Sequence, residues 1–279
     1  MNELVSIKWL EQNINKTDLI LLDTSLAKTA DGKNSKYKDL TIPSARIFNL
    51  EDDFSDRNSA FPNTVPSKEK FELECQKLGI SKTSEVIVFD NHGIYSSPRV
   101  WWMFKTMGHD KVSVLDGGLK EWVKKGLRTE NRTHKTYETG DFEACLNKDY
   151  IINYNSIKLN TEKQTFTLID ARSEGRFKGS EQDPRKELKS GHIKGSINIP
   201  YNNVLSNGKY KSKEVLKKIF GTKCDANEKL VFSCGSGLTA CIVLLACELA
   251  FTKSKFVYDG SWTEWAEKNN LKNVEQLRP

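Results

Sequence analysis

Cysteine is scarce in this chain and never paired at metal-binding spacing: six occur in 279 residues, at positions 75, 145, 224, 234, 241 and 247, with no C-x-x-C. That excludes a disulfide-stapled scaffold and a zinc ribbon, and it raises the question of which thiol is reactive. Long apolar runs are missing too. Stretches such as Cys241 to Leu245 fall well short of the ~18–20 residues a membrane-spanning helix needs. The opening residues, Met1-Asn2-Glu3-Leu4-Val5-Ser6, have neither the basic start and apolar core of a secretion signal nor the arginine bias of a transit peptide, so a cytoplasmic location is expected. Long basic blocks interleaved with aromatics are absent as well. The lysines at 209, 211, 213, 217 and 218 read as a solvated face, and neither nucleic acid nor membrane is expected as a partner.

What the chain does have is length enough for two domains, each able to bury its own core. Its charge is uneven: residues 1–140 carry 21 basic and 20 acidic groups, residues 141–279 carry 22 and 17. The second half is the better place for an anion. The two halves also echo one another. Val114-Leu115-Asp116-Gly117-Gly118-Leu119-Lys120-Glu121-Trp122 recurs as Val257-Tyr258-Asp259-Gly260-Ser261-Trp262-Thr263-Glu264-Trp265. At the same offset Glu85 to Asn91 pairs with Glu228 to Cys234, which sets Asn91 opposite Cys234. Leu19-Ile20-Leu21-Leu22-Asp23 likewise echoes Phe166-Thr167-Leu168-Ile169-Asp170, and Ile42 to Ile47 echoes Ile193 to Ile199. Four matches in one order mean a duplicated domain. Each half alternates short apolar runs with longer helical patterns such as Val100 to Met107 and Thr239 to Ala250. This predicts an α/β fold with a mostly parallel sheet flanked by helices in each domain. The boundaries are expected at residues 1–130 and 150–279, joined by a polar linker over residues 131–149.

In such sheets ligands sit beyond the carboxyl ends of the strands. Lys229 to Ala240 reads as a strand, a glycine-bearing loop and a helix start, with Cys234 at the strand's end. Gly235 and Gly237 let the loop curl so that successive N–H groups point at the sulfur, and the helix that follows adds its positive end. Both effects favour a thiolate and are expected to lower its pKa. Cys241 and Cys247 fall in the apolar helix and read as core, whereas Cys75, Cys145 and Cys224 have no comparable setting.

The run Cys234-Gly235-Ser236-Gly237-Leu238-Thr239-Ala240 resembles the active-site loop of the two-domain rhodanese superfamily, and in particular its 3-mercaptopyruvate sulfurtransferases. Ser97 to Phe104, Leu115 to Leu119, Gly191 to Pro200 and Tyr258 to Trp262 extend the resemblance over nearly the whole chain. It implies two tandem rhodanese-like domains, of which only the C-terminal one keeps the nucleophile. It also implies that Cys234 carries sulfur as a persulfide and that Ser236 assists catalytically, while Gly235, Gly237, Leu238 and Thr239 contact substrate. The stretch from Asp170 to Arg185 resembles the family segment with two substrate arginines, mapping them to Arg176 and Arg185, whose planar forks suit a carboxylate. Arg172 is expected to brace the loop or sheet edge.

Thiosulfate enzymes of the family carry basic side chains just after the cysteine. Here those positions are Gly235 and Ser236, which favours a monoanionic keto acid, 3-mercaptopyruvate, over thiosulfate. The partners implied are therefore a small anionic sulfur donor and a thiol acceptor such as thioredoxin or a low-molecular-weight thiol, with cyanide as a substitute. No metal or organic cofactor is expected, and a monomer is expected. One departure stands out. Mercaptopyruvate enzymes of the family usually place an aspartate and a histidine near the cysteine, where this chain has Glu51 and either Asn63 or Thr64. An amide cannot exchange a proton, so that work would fall to Ser236, water or the acceptor thiol. His92, His109, His134 and His192 are expected to be non-catalytic.

Two further readings compete: a thiosulfate sulfurtransferase and a non-enzymatic sulfur-relay or interaction module. A cysteine-dependent phosphatase would need an arginine six positions after the cysteine, where this chain has Ala240.

Overall fold

The computed structural model describes residues 2–224, 229–251 and 256–272. Glu228 of the repeat, and the outer limits expected for the two domains at residues 1 and 279, lie outside the described residues. The chain divides into two compact units. One takes its residues from 1–58, 65–148 and 205–210, the other from 59–64, 149–204 and 211–279.

The first unit runs β1 (Leu4–Val5), α1 (Ile7–Asn13), β2 (Leu19–Asp23), β3 (Leu40–Thr41), β4 (Arg46–Ile47), α2 (Lys68–Lys77), β5 (Glu85–Phe89), α3 (Ser97–Thr106), β6 (Val112–Leu115), α4 (Gly118–Lys124) and β7 (Glu130–Asn131). Its main sheet has the order β1-β6-β5-β2-β4, with every pair parallel. All five residues of β2 are buried, as a strand covered on both faces requires. Side-chain caps start the helices: Ser6 accepts the Trp9 N–H of α1, and Ser67 accepts the Lys70 N–H of α2. Leu10, Leu21, Ile42, Ile87, Leu115 and Trp122 form one core cluster. Phe71, Phe104 and Phe142 stack edge-on in a second group. Residues 131–148 lie along this unit through main-chain bonds from Gly140 to Gln76, Phe142 to Ile80 and Cys145 to Met107.

The second unit runs β8 (Ile151–Ile152), α5 (Tyr154–Lys163), β9 (Thr167–Asp170), α6 (Glu174–Lys178) and β10 (Ile197–Asn198). After a small hairpin of β11 (Leu205–Ser206) and β12 (Lys209–Tyr210), which groups with the first unit, come α7 (Lys213–Gly221), β13 (Leu230–Ser233), α8 (Leu238–Phe251), β14 (Phe256–Tyr258) and α9 (Ser261–Lys268). Its sheet order is β10-β9-β13-β14-β8, again all parallel. Matched strand for strand, this is the order of the first sheet, so the duplication read from the motifs extends to topology. Helix α8 is apolar on nearly all sides and almost wholly buried, with Cys241 and Cys247 inside it. Among the described residues no helix is long and apolar enough to cross a membrane.

Strand register corrects one pairing. Asp23 lies opposite Phe89 in the first sheet, and its counterpart Asp170 lies opposite Ser233 in the second. Phe89 therefore matches Ser233, and Asp90, rather than Asn91, occupies the place of Cys234. The hydrogen bonds agree: Leu119 N–H donates to the Asp90 carbonyl, as Trp262 N–H does to the Cys234 carbonyl, each at 3.0 Å. A one-residue difference in offset between the β5/β13 pair and the β6/β14 pair is invisible when similar apolar residues repeat along the strands.

Candidate active site

β13 ends at Ser233 and α8 begins at Leu238, so residues 234–237 turn the chain at the carboxyl edge of the sheet. Cys234 is buried there. Its N–H donates to Ser261 Oγ (3.2 Å), and that hydroxyl donates to the Tyr258 carbonyl (2.8 Å). The Gly235 carbonyl accepts from both the Thr263 N–H (3.1 Å) and Thr263 Oγ1 (2.7 Å). The carbonyls of Cys234 and Gly235 are thus turned onto the start of α9. In a trans peptide N–H and C=O point in opposite directions, so the Gly235 and Ser236 amides face away from α9. Gly237 sits at φ +81, in the left-handed region where glycine is favoured, and its carbonyl accepts from Cys241 Sγ. Leu238 and Thr239 form the first turn of α8, Leu238 buried and Thr239 half-buried.

Arg176 and Arg185 come to this loop from a separate segment. A Cβ built on Gly235 would lie 3.1 Å from Arg176 Nη2 and 3.5 Å from Arg185 Nη1. Both guanidinium groups therefore converge on the residue that follows the cysteine, and a side chain there would press on Arg176 and touch Arg185. Between them lies Asp183, buried. Its Oδ2 accepts from Arg176 Nη2 (2.6 Å) and Nε (3.2 Å), while Oδ1 accepts the Arg185 N–H (3.0 Å) and lies 3.9 Å from Arg185 Nη1. The segment is fixed further along, where Trp262 Nε1 donates to the Lys189 carbonyl and the Lys189 N–H donates to the Leu271 carbonyl. Arg172 is fully buried and committed elsewhere. It grips Asp170 with Nε and Nη2, donates from Nη2 to the Gly191 carbonyl at 2.6 Å, and lies over the Trp262 ring.

Asn63 and Ser236 meet although 173 residues separate them: Asn63 Nδ2 donates to Ser236 Oγ at 3.1 Å. Thr64 turns instead to Ser59 Oγ and the Phe61 carbonyl. Glu51 is exposed on the first unit. His192 stacks on Phe177 and bonds its carbonyl, and His109 bonds the Ser84 carbonyl in the core of the first unit. Burial pushes the Cys75 thiol well above its usual pKa, with Glu74 adding to the effect, so that thiol is inert. Burial, reinforced by Glu264, likewise keeps the Tyr258 phenol protonated.

The counterpart loop in the first unit shows what this place in the fold holds. Asp90 is fully buried, and its Oδ2 accepts the N–H groups of Tyr95 (2.8 Å), Ser96 (3.1 Å) and Ser97 (3.1 Å) together with Ser97 Oγ (2.7 Å). A strand-end loop leading into a helix here cradles an aspartate side chain with main-chain amides.

Reading the sequence alone missed Asp183, Ser261 and Thr263. The exchange of Gly118 for Ser261 between the repeats was a usable signal. Asp183 had none beyond lying between the two arginines.

Two rhodanese-like domains in tandem, one with a cysteine at the sheet edge and one with an aspartate in its place, define the class, and the chain belongs to the rhodanese family. The sequence profile of the rhodanese-like domain matches residues 6–125 and 154–268. The chain is 38% identical over 272 residues to the human 3-mercaptopyruvate sulfurtransferase, covering 94% of this chain and 91% of the relative. It is 37% identical, with the same coverage, to a thiosulfate sulfurtransferase of Rattus norvegicus. Among solved structures, SseA of Escherichia coli, described as a 3-mercaptopyruvate sulfotransferase, superposes with a TM-score of 0.83 at 31% identity, covering 94% of this chain and 99% of that one.

Proposed function

We propose that this chain is a sulfurtransferase that takes sulfur from 3-mercaptopyruvate onto Cys234 and passes it to a thiol. The observation that carries the reading is the convergence of Arg176 and Arg185 on Gly235, beside the buried cysteine, on a loop with no charged side chain of its own. The arginine forks hold the keto acid carboxylate, which sets the mercapto sulfur against Cys234. The Cys234 thiolate attacks that sulfur; the S–S bond forms as the C–S bond breaks, and the electron pair passes to the carbon next to the carbonyl, giving pyruvate enolate and a Cys234 persulfide. Protonation of the enolate gives pyruvate. Ser236, whose oxygen accepts from Asn63, keeps its own O–H to donate toward the donor's carbonyl. The loop amides facing away from α9 stabilise the persulfide anion, much as main-chain amides at the end of the first unit's loop hold the Asp90 side chain. An acceptor thiolate, of thioredoxin or of a small thiol, then attacks the outer sulfur and frees Cys234. In this scheme Gly235, Gly237, Leu238 and Thr239 line the donor site, and the first domain carries no nucleophile.

Thiosulfate is the second reading, favoured by the rat relative and by the same arginine pair. Side-by-side kcat/KM for the two donors, with cyanide and dithiothreitol as acceptors, decides between them. A ratio above about ten for mercaptopyruvate, roughly 1.4 kcal/mol of transition-state preference, is the expected result, and a ratio at or below one overturns it. Cys234→Ser should abolish turnover and leave the intact protein with no added sulfur by mass after incubation with donor.

A further inference from the structure

We infer that Asp183 sets the charge of the donor this site prefers, by removing one of the two positive charges that Arg176 and Arg185 bring to Gly235. The inference rests on the reading that these arginines hold the donor anion. Asp183 is buried, and one carboxylate serves both arginines: Oδ2 takes the Arg176 fork and Oδ1 takes the Arg185 N–H, with Arg185 Nη1 at 3.9 Å. Arg176 is 13% and Arg185 24% exposed at the side chain, so both cations reach solvent while the anion that ties them does not. Gly235, Ser236 and Gly237 add no charge, and the neighbouring cation Arg172 is already matched by Asp170.

Beside the Cys234 sulfur, the arginine cluster is two cations and one fixed anion, which contributes a single net positive charge toward an incoming ligand. Interaction with that charge scales with the ligand's own charge. A change of one unit at the site therefore acts on a dianion about twice as strongly, in energy, as on a monoanion. Asp183 holds the arginines in place for either donor, but it penalises a dianion such as thiosulfate more than a monoanion such as mercaptopyruvate. It acts through the arginines and is a positioning and specificity residue.

Asp183→Asn removes the charge and keeps the shape. Both kcat/KM values are expected to fall as the arginines loosen, and the mercaptopyruvate-to-thiosulfate ratio is expected to drop by roughly tenfold, the size of one unit-charge interaction across several ångströms in a partly buried site that opens to solvent. Asp183→Glu, which restores the charge, should return the ratio to within about twofold of wild type. Arg185→Gln changes the charge in the opposite sense and should raise the ratio. That arm, and competitive inhibition by pyruvate against sulfate, keep the idea testable if Asp183→Asn folds poorly. Equal losses for both donors in Asp183→Asn, or an unchanged ratio in Arg185→Gln, would show that Asp183 only props the loop. These outcomes concern the change in the ratio, so they stand apart from its wild-type value, which tests the donor assignment itself.

Discussion

Two hydroxyls from α9 tie down the cysteine loop, and the structure assigns them unequal weight. Ser261 Oγ accepts the Cys234 N–H at 3.2 Å, both groups buried, and it is the partner that amide has among the described residues. Ser261→Ala strands a buried donor, which costs about 1–3 kcal/mol, and it also removes the bond to the Tyr258 carbonyl. Thr263 Oγ1 is closer to its acceptor, 2.7 Å from the Gly235 carbonyl, yet that carbonyl also receives the Thr263 N–H at 3.1 Å. Thr263→Val therefore leaves the acceptor satisfied, and its expected cost is about 0.5–1 kcal/mol. The longer hydrogen bond should matter more than the shorter one, because what counts is the group left behind. Calorimetric melting of both variants with wild type checks this. The transition of the second unit should fall by roughly 4–8 °C for Ser261→Ala, taking 2 kcal/mol as the midpoint, and by under about 4 °C for Thr263→Val. Equal shifts, or a larger one for Thr263→Val, would refute the reasoning. Turnover should follow the same order, since the amide at stake belongs to Cys234 itself.

Two predictions concern protons. Asn63→Ala should lower kcat by about 2- to 10-fold, the net worth of one hydrogen bond, with KM for the donor little changed, because Ser236 loses the group that orients it. Asn63→His should give kcat a new pH-dependent limb near the usual imidazole range, which wild type lacks if the amide reading is right; identical pH profiles would count against it. In the first unit, burial holds His109 below its ordinary pKa of 6.5. The unfolded chain therefore binds the proton more readily, and the stability His109 contributes is complete above about pH 6.5 and lost as the pH falls through its lower folded-state value. Melting curves from pH 7.5 down to 5 should show that loss, and His109→Gln should flatten it; an unaltered slope in the variant would assign the loss to other groups.

Much of this molecule is legible in local sequence. The apolar runs that became buried parallel strands, the duplicated motifs and the strand-loop-helix around Cys234 are set by neighbours a few residues apart, where periodicity and glycine placement carry the information. The resemblance of the Asp170 to Arg185 stretch picked out Arg176 and Arg185, and the fold brings both to Gly235. Sequence offset was a weaker guide to the inert loop. Apolar strands tolerate a one-residue slip on paper, whereas backbone hydrogen bonds do not, and they put Asp90 in the cysteine's place.

The sequence by itself therefore determined the two domains, their α/β character and the strand-loop-helix that holds Cys234, because those features depend on short-range pattern. Only the tertiary structure decided that one buried carboxylate, Asp183, serves both arginines, that α9 holds the carbonyls of Cys234 and Gly235, and that Asn63 reaches Ser236 across 173 residues of chain. Such contacts are chosen by how whole elements pack, and a hydrogen bond between distant residues leaves no spacing in the sequence from which to read it.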